Sequence, residues 1–287
     1  MRKSDTALSV AKNKGKKQYV FFKDDMFLSR THQIELTQHM RSAIGNDEFK
    51  LFYQPIYNLK SDKVEAVEAL IRWSHKTKGN IPPLDFIPLA ELTGYIHDIN
   101  DWVFLDAFKR YNLWKQSSLN RVSFSINVSA KSLTNKSFVS NLKNLCVESD
   151  VDCKLFSLEI TETAMIEDLN QTQIALEELR KMGFNIALDD FGTGFSSLTY
   201  LKKLPINTIK IDRSFIKDCI EIDNDKKTLE YLIDLAHHLK MKVVAEGVET
   251  KEQLCLLKDL RCDFAQGYYL CKPLPVEDIE KFLKKTT

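Results

Sequence analysis

The chain has 287 residues, of which 44% are hydrophobic and 28% are charged, a composition typical of a globular protein with a large buried core. Its formal net charge of +1 excludes the strong positive field of proteins that bind polymeric nucleic acid or anionic membranes. No apolar run approaches the roughly 20 residues of a membrane-spanning helix, so we expect no membrane contact from this chain.

The six cysteines include no CxxC pair, which favours reduced thiols in a reducing compartment. The first residues contain no apolar signal core. We therefore predict a cytoplasmic location, with any membrane anchor lying upstream in a longer protein.

Two segments precede the main domain. Residues 1–24 are basic and prone to form a helix, and residues 25–45 have the pattern of an amphipathic helix. The apolar residues of that pattern lie mostly on one side of the helix: Leu28, Ile34, Leu36, Met40 and Ile44. We interpret 25–45 as a linker helix that leads into a domain over residues 46–287.

Strand-like and helix-like patterns then alternate along the main domain. The predicted strands are KLFYQPI, KVEAVEALI, VSFSIN, LFSLEI, FNIALD, NTIKI, KVVAEG and DFAQGYYL. Helical patterns separate nearly all of them, which predicts an α/β fold with a TIM-type (β/α)8 barrel.

The connection between the first two predicted strands breaks this rule. Only about six residues separate KLFYQPI from KVEAVEALI, whereas a parallel crossover needs about a dozen or more. We therefore predict an irregular barrel whose first strand is antiparallel. An open doubly wound sheet would require a helix between these strands.

Polar side chains collect where the predicted strands end, which is where the active site of a TIM barrel lies. A single acid at such a position is more often solvated or a helix cap, but this set places several carboxylates around one lysine. Such carboxylates would repel each other without cations, and hard oxygen ligands without His or Cys favour Mg²⁺ or Mn²⁺. The strand-end residues are Glu68, Asn127, Glu159, Asp189, Asp190, Lys210, Asp212, Glu246, Glu249 and Gln266.

Asp189 and Asp190 are adjacent, and neighbouring strand residues normally point to opposite faces. Both can face one site only if the strand ends there, as the glycines of FGTGFSS would permit. One aspartate could then bridge two ions about 4 Å apart, an arrangement suited to attack of water on a phosphodiester.

Four of the side chains near the predicted site could contact substrate or water. Lys210 could position the attacking water or form an ion pair with a neighbouring carboxylate. Arg72 lies four residues past Glu68 and could contact a phosphate. Tyr268 and Tyr269 could stack on a base, although core packing is the more common use of such a pair.

The motifs together resemble the EAL phosphodiesterase family. EALIRW at 68–73 matches the signature EALxRW, and the family's further motifs follow in order from about Glu48 to Lys285. They read IPPLDFIPLAELTG, SINVS, LEITE, LDDFGTGFSSL, TIKID, AEGVE and AQGYYLCKP.

The resemblance implies hydrolysis of cyclic di-GMP to linear pGpG with two Mg²⁺ or Mn²⁺ ions on an irregular TIM barrel, and a possible homodimer. It places one ion on Glu68, Asn127, Glu159 and Asp189, and the second on Asp189, Asp190 and Glu246. It makes Lys210 the residue that positions water, and it leaves open whether Glu246 acts as a general base or as a metal ligand. The catalytic residues implied are Glu68, Asp190, Lys210 and Glu246. Glu162 would anchor the loop after Asp190, and the substrate side would comprise Gln54, Leu70, Arg72, Asp212, Glu249, Gln266 and Tyr268.

The sequence departs from the family pattern at three positions without losing a metal ligand. Ser132 replaces a glutamine expected near a guanine, Phe195 replaces a tyrosine, and Ala66 replaces a glycine.

The alternative function is a catalytically silent module that senses cyclic di-GMP. Such a module would be marked by loss of one of the acids Glu68, Asp189, Asp190 or Glu246, and all are present.

Residues 1–24 resemble the last helix and strand of a GGDEF (diguanylate cyclase) domain. This resemblance implies an upstream GGDEF domain in a longer protein, of which 1–24 would be the remnant.

Overall fold

A computed structural model describes residues 24–162, 168–192 and 201–286, with side chains from residue 33 onward. The helices are α1 Asp24–Ala43, α2 Pro83–Thr93, α3 Ile96–Lys115, α4 Ala130–Leu133, α5 Phe138–Glu148, α6 Leu169–Met182, α7 Arg213–Lys217, α8 Asp223–His238, α9 Lys251–Asp259 and α10 Val276–Thr286. The strands are β1 Phe49–Asn58, β2 Lys63–His75, β3 Gly79–Ile81, β4 Ser123–Asn127, β5 Phe156–Thr161, β6 Asn185–Phe191, β7 Thr208–Ile211, β8 Lys242–Ala245, β9 Phe264–Ala265 and β10 Leu274–Pro275. A 3₁₀ turn covers Cys153–Leu155.

The chain divides into two compact units, and the smaller one combines residues up to 50 with residues 73–95. Within it, Phe49, Trp73 and Phe86 form an aromatic cluster with ring centroids 5.5–5.6 Å apart. The Trp73 indole donates a hydrogen bond of 3.0 Å to Glu48 Oε2, which satisfies its buried N–H group.

The predicted linker helix corresponds to α1. Leu36 and Met40 are buried, as the pattern indicates, but Ile34 is 51% exposed. Because two residues correspond to about 200° around a helix, Ile34 faces away from Leu36. The predicted domain boundaries, 1–24, 25–45 and 46–287, remain a prediction, and the segment 1–23 lies outside the described residues.

The larger unit, residues 51–72 and 96–287, holds the barrel. Its strands follow the order β1-β9-β8-β7-β6-β5-β4-β2, and β1 also pairs with β2, which closes the ring. Neighbours from β2 to β9 are parallel, whereas β1 is antiparallel to β9. The α/β barrel with an antiparallel first strand is therefore confirmed.

Alternation along the strands separates an aromatic outer layer from a polar interior. On β4 and β5, Phe124 and Phe156 are fully buried and stack with ring centroids 5.3 Å apart. Helix α3 covers them, with Phe108 4.9 Å from Phe156 and Trp114 5.0 Å from Phe124. The residues that alternate with these phenylalanines along β4 and β5 therefore point into the barrel.

One predicted strand differs from the structure. The strand predicted over DFAQGYYL is only Phe264–Ala265, because the next residues bond to the loop after β8. There the Val248 N–H donates to the Gln266 carbonyl, and the Tyr269 N–H donates to the Val248 carbonyl. The helix predicted over 196–204 lies mostly outside the described residues. Among those described, no helix is long and apolar enough to cross a bilayer.

Candidate active site

The carboxyl ends of the barrel strands bring the predicted acids together around Lys210. Its ammonium group lies 2.7 Å from Glu159 Oε2, 2.7 Å from Glu246 Oε1, 3.3 Å from Asp189 Oδ1 and 3.7 Å from Glu68 Oε2. Lys210 is only 1% exposed. Of the two interpretations of this lysine, the ion pair is the one that the structure contains.

The charges of this cluster do not balance, since four carboxylates face a single ammonium group. Burial alone would lower the pKa of Lys210, but the carboxylates, Glu159 foremost, raise it well above its ordinary value. Burial and the charge of Glu68 raise the pKa of Glu159 well above its usual range. Burial likewise raises the pKa of Glu246 to about 7, although Lys210 opposes the shift. Additional positive charge at this position would stabilise the ionised carboxylates.

Glu68 is held by two amides. Asn127 Nδ2 donates to Glu68 Oε1 at 2.7 Å, and Gln266 Nε2 donates to Glu68 Oε2 at 2.7 Å. Burial would raise the pKa of Glu68, but Lys210 and these hydrogen bonds lower it. Gln266 Nε2 also donates to Gln54 Oε1 at 3.0 Å. Glu68 on β2 is thereby linked directly to β4 and to the residue after β9, and β1 joins them through Gln266.

Asp189 and Asp190 both reach the site, but not because the strand ends there. Strand β6 continues to Phe191, and its register with β7 shifts between Leu188 and Phe191. Asp190 has a φ of 55°, the left-handed region that asparagine and aspartate adopt more readily than most residues. This irregularity turns Asp190 to the same side as Asp189, and the Asp190 N–H donates to Asp189 Oδ1 at 3.0 Å.

One group of acids is compatible with a shared cation. Single carboxylate oxygens of Asp189, Asp190 and Glu246 lie within 4.8 Å of one another. Burial, then the charges of Asp189 and Asp212, raises the pKa of Asp190. Oxygen ligands at this spacing fit Mg²⁺ or Mn²⁺ better than Zn²⁺.

A cavity of about 250 Å³ opens above the cluster. Its wall contains many of the residues predicted as catalytic, metal-binding or substrate-binding, namely Gln54, Glu68, Leu70, Asp189, Lys210, Glu246, Glu249, Gln266 and Tyr268. Tyr268 is 58% exposed and Tyr269 is 45% exposed, so the interpretation of this pair as core packing is wrong. The reason is that the chain leaves the barrel ladder at Gln266.

Two predicted substrate residues are not on the cavity wall. Arg72 Nη1 donates to the Ile71 carbonyl at 2.9 Å, and its guanidinium lies over the Phe52 ring at 5.7 Å. Asp212 caps α7 by accepting from the Ser214 N–H at 2.9 Å. Their present partners, Ile71, Phe52 and Ser214, are not on the cavity wall either.

Sequence reasoning missed Arg213, which lines the cavity beside Glu249. Its Nη2 lies 2.9 Å from Glu249 Oε1. Its side chain packs so closely on Gly247 that an added Cβ there would lie 2.4 Å from Arg213 Cγ. The position directly after the motif TIKID was the signal that could have identified it.

A buried glutamine fixes the loop that carries Glu246 and Glu249. Gln253 Oε1 accepts from the N–H groups of Glu249 and Thr250 at 2.8 and 3.1 Å. Its Nε2 donates to the carbonyls of Ile216 and Lys217 at 3.1 and 3.2 Å. The loop after β8 is thereby joined to α7, which follows Asp212.

Glu162 lies where a loop anchor is predicted. Its Oε2 accepts from the Gly192 N–H at 3.3 Å, and its buried Oε1 has no partner among the described residues. Residues 193–200, including Phe195, lie outside the described part of the chain, so the anchoring of that loop stays a prediction.

Ser132 is fully buried, and its Oγ accepts a hydrogen bond of 2.6 Å from Asn100 Nδ2. A glutamine, the residue that the family pattern has at this position, would have to displace packed neighbours. We therefore do not expect Ser132→Gln to add a hydrogen bond to a guanine. We predict that Ser132→Gln lowers the free energy of unfolding by about 1–3 kcal/mol, the usual cost of overpacking. Urea unfolding measures this. A variant as stable as the wild type would contradict it.

The comparisons with known proteins agree with this geometry. The EAL domain family model matches residues 37–273. Cyclic di-GMP phosphodiesterase NbdA of Pseudomonas aeruginosa is 36% identical over 284 residues, which are 99% of this chain and 36% of NbdA. The bifunctional diguanylate cyclase/cyclic di-GMP phosphodiesterase MucR of the same organism is 36% identical over 97% of this chain and 41% of MucR. The chain thus spans well under half the length of these two relatives.

Solved structures show the same fold. The PaMucR phosphodiesterase in complex with c-di-GMP superposes with a TM-score of 0.82 at 36% identity, over 85% of this chain and 99% of that one. The EAL enzyme Bd1971 with cAMP and cyclic di-GMP bound gives a TM-score of 0.83 at 33% identity, over 99% of this chain and 76% of that one. Since the family model, the fold and the acidic barrel mouth all coincide, the chain belongs to the EAL domain family.

Proposed function

We propose that this chain hydrolyses cyclic di-GMP to linear pGpG with two Mg²⁺ or Mn²⁺ ions. The observation that carries the proposal is the cluster of four carboxylates around Lys210 at the barrel mouth, below a cavity lined by predicted substrate residues. The names of the two relatives from Pseudomonas aeruginosa support cyclic di-GMP as the substrate.

The donor set fits divalent cations. Asn127 uses its amide nitrogen on Glu68, which leaves the amide oxygen as a possible ligand. We assign one ion to Glu68, Asn127, Glu159 and Asp189, and the second to Asp189, Asp190 and Glu246. Bound ions would polarise the phosphodiester and lower the pKa of the attacking water.

The protein's own groups would perform the remaining tasks. The ammonium group of Lys210 holds Glu159 and Glu246 in place and could donate a hydrogen bond to the attacking water. Glu246 could accept the proton of the attacking water or serve as a metal ligand. The excess negative charge of the four carboxylates around Lys210 favours the binding of cations at this site.

Substrate would lie in the cavity above these groups. Leu70 and Tyr268 offer apolar surface to a guanine, and Gln54 and Glu249 offer hydrogen-bonding groups. Arg213 lines this wall beside Glu249, and Arg72 lies four residues past Glu68; either could contact a phosphate.

The wider context is part of the proposal. We propose an upstream GGDEF domain in the full-length protein, which the name of MucR as a bifunctional diguanylate cyclase and phosphodiesterase supports. We also propose a homodimer, on the family resemblance alone. The six cysteines are free thiols, which supports a reducing, cytoplasmic compartment.

The test is incubation of the protein with cyclic di-GMP and Mg²⁺ or Mn²⁺, with the product separated by chromatography. We expect pGpG, no product in excess EDTA, and inhibition by Ca²⁺, which prefers more ligands at longer distances. Full turnover in EDTA would contradict the metal mechanism. Tight binding without turnover would instead favour the silent sensor.

A further inference from the structure

The amino-terminal half of the barrel has several small and polar side chains on its wall, beside apolar ones such as Val244 and Phe264. The inward positions there include Ser123 and Ser125 on β4, Ser157 on β5, Ala187 on β6 and Thr208 on β7. Barrels of this type usually fill that space with layers of bulky branched residues. Here the small residues leave a second cavity of about 700 Å³, which we call the lower chamber.

The lower chamber has a cationic rim. Lys63, Arg121, Lys240 and Lys242 line it and are exposed, because they lie at or just before the first residues of β2, β4 and β8. Two carboxylates also line it: Glu65 on the rim and Glu159 at the inner end, where Lys210 pairs with it. The rim therefore carries a clear excess of positive charge.

The side chains of two of the four rim cations have no charged or aromatic partner within the described part of the chain. Neither Arg121 nor Lys240 forms an ion pair with any described residue. The ammonium group of Lys242 lies over the Phe264 ring, 5.4 Å from its centroid, and Phe264 also lines the chamber.

The wall also offers a hydrogen-bonding group that the fold leaves unused. Ser125 is only 5% exposed and lines the chamber, yet its hydroxyl makes no hydrogen bond within the described part of the chain. The hydroxyl is open to the chamber, so it is available to form a hydrogen bond with a molecule bound there. Ser157 and Thr208 place two more hydroxyl groups on the same wall.

We propose that the lower chamber binds a small phosphorylated anion. Guanidinium and ammonium groups at the rim would bind phosphate oxygens, and the serine and threonine hydroxyls would donate to them. The volume lies within the range of small-molecule sites. The proposed hydrolysis uses none of the rim residues, so this site is separate from it, although its inner end reaches Glu159 and Lys210 from below.

Inorganic pyrophosphate is the probe. It is titrated calorimetrically into the whole chain, in EDTA and at fixed ionic strength. We expect saturable binding at one site. The double variant Arg121→Ala/Lys242→Ala should weaken it by about tenfold or more, since it removes two charge-assisted contacts from a partly exposed rim. Because both side chains are exposed, the variant should keep the thermal unfolding midpoint of the wild type.

Two controls locate the anion. Lys143→Ala removes an exposed lysine of α5 that does not line the chamber, and it should leave the affinity unchanged. Arg213→Ala removes a cation from the upper cavity and should also have no effect. Absence of saturable binding, equal affinity in the double variant, or loss of binding only in Arg213→Ala would each overturn the proposal.

Discussion

Asp190→Asn is expected to lower the turnover of cyclic di-GMP by about 10³-fold or more, while the substrate still binds. The change removes one charge from the group formed by Asp189, Asp190 and Glu246. Electrostatic stabilisation by a bound cation is worth several kcal/mol in such reactions, and each 1.36 kcal/mol is about tenfold in rate. Asparagine tolerates the left-handed φ of 55° at this position, so the backbone should not change.

The measurement separates chemistry from binding. Turnover is followed with saturating Mg²⁺, and cyclic di-GMP affinity is measured calorimetrically on the same preparations. Asp259→Asn removes a charge from the exposed end of α9 and should behave like the wild type. Near wild-type turnover in Asp190→Asn would rule out a second ion held by this residue.

Lys210→Met should destabilise the metal-free protein by about 3–5 kcal/mol, the cost of leaving buried charges without their partner. Lys210 is the only cation within 4.0 Å of Glu68, Glu159, Asp189 and Glu246 among the described residues. Methionine preserves most of the side-chain volume, so the loss would reflect charge more than packing. Urea unfolding in EDTA measures it.

Added Mg²⁺ should recover part of that loss, because a ligand that binds only the folded state stabilises it. Lys258→Met is the control, since Lys258 pairs with Asp62 on the surface and exposed pairs contribute about 1 kcal/mol or less. Equal losses in the two variants would show that Lys210 does not neutralise the cluster.

Local patterns alone predicted much of this protein. Alternating strand and helix patterns predicted the barrel. A connection of about six residues between the first two strands predicted an antiparallel β1, and β1 is antiparallel to its neighbour β9. Acids at successive strand ends predicted the cluster, because the carboxyl ends of the parallel strands meet at one mouth. These predictions needed only the chain order and the periodicity of side chains.

Tertiary packing decided the rest. Whether Lys210 pairs with acids depended on groups from four different strands, and no local pattern fixes those distances. The turn of Asp190 came from a register shift between β6 and β7, which requires both strands.

Local sequence patterns also could not predict which side chains are buried or where a cavity forms. Ser132 is buried and Tyr268 is exposed, because neighbours distant in sequence cover the first and the chain departs from the barrel before the second. The lower chamber arises because small residues on several strands meet only when the ring closes. The sequence by itself therefore determined the order of the elements and the chemistry at their ends. Only closure of the barrel determined which of these side chains contact each other, because the contacting residues are far apart in the chain.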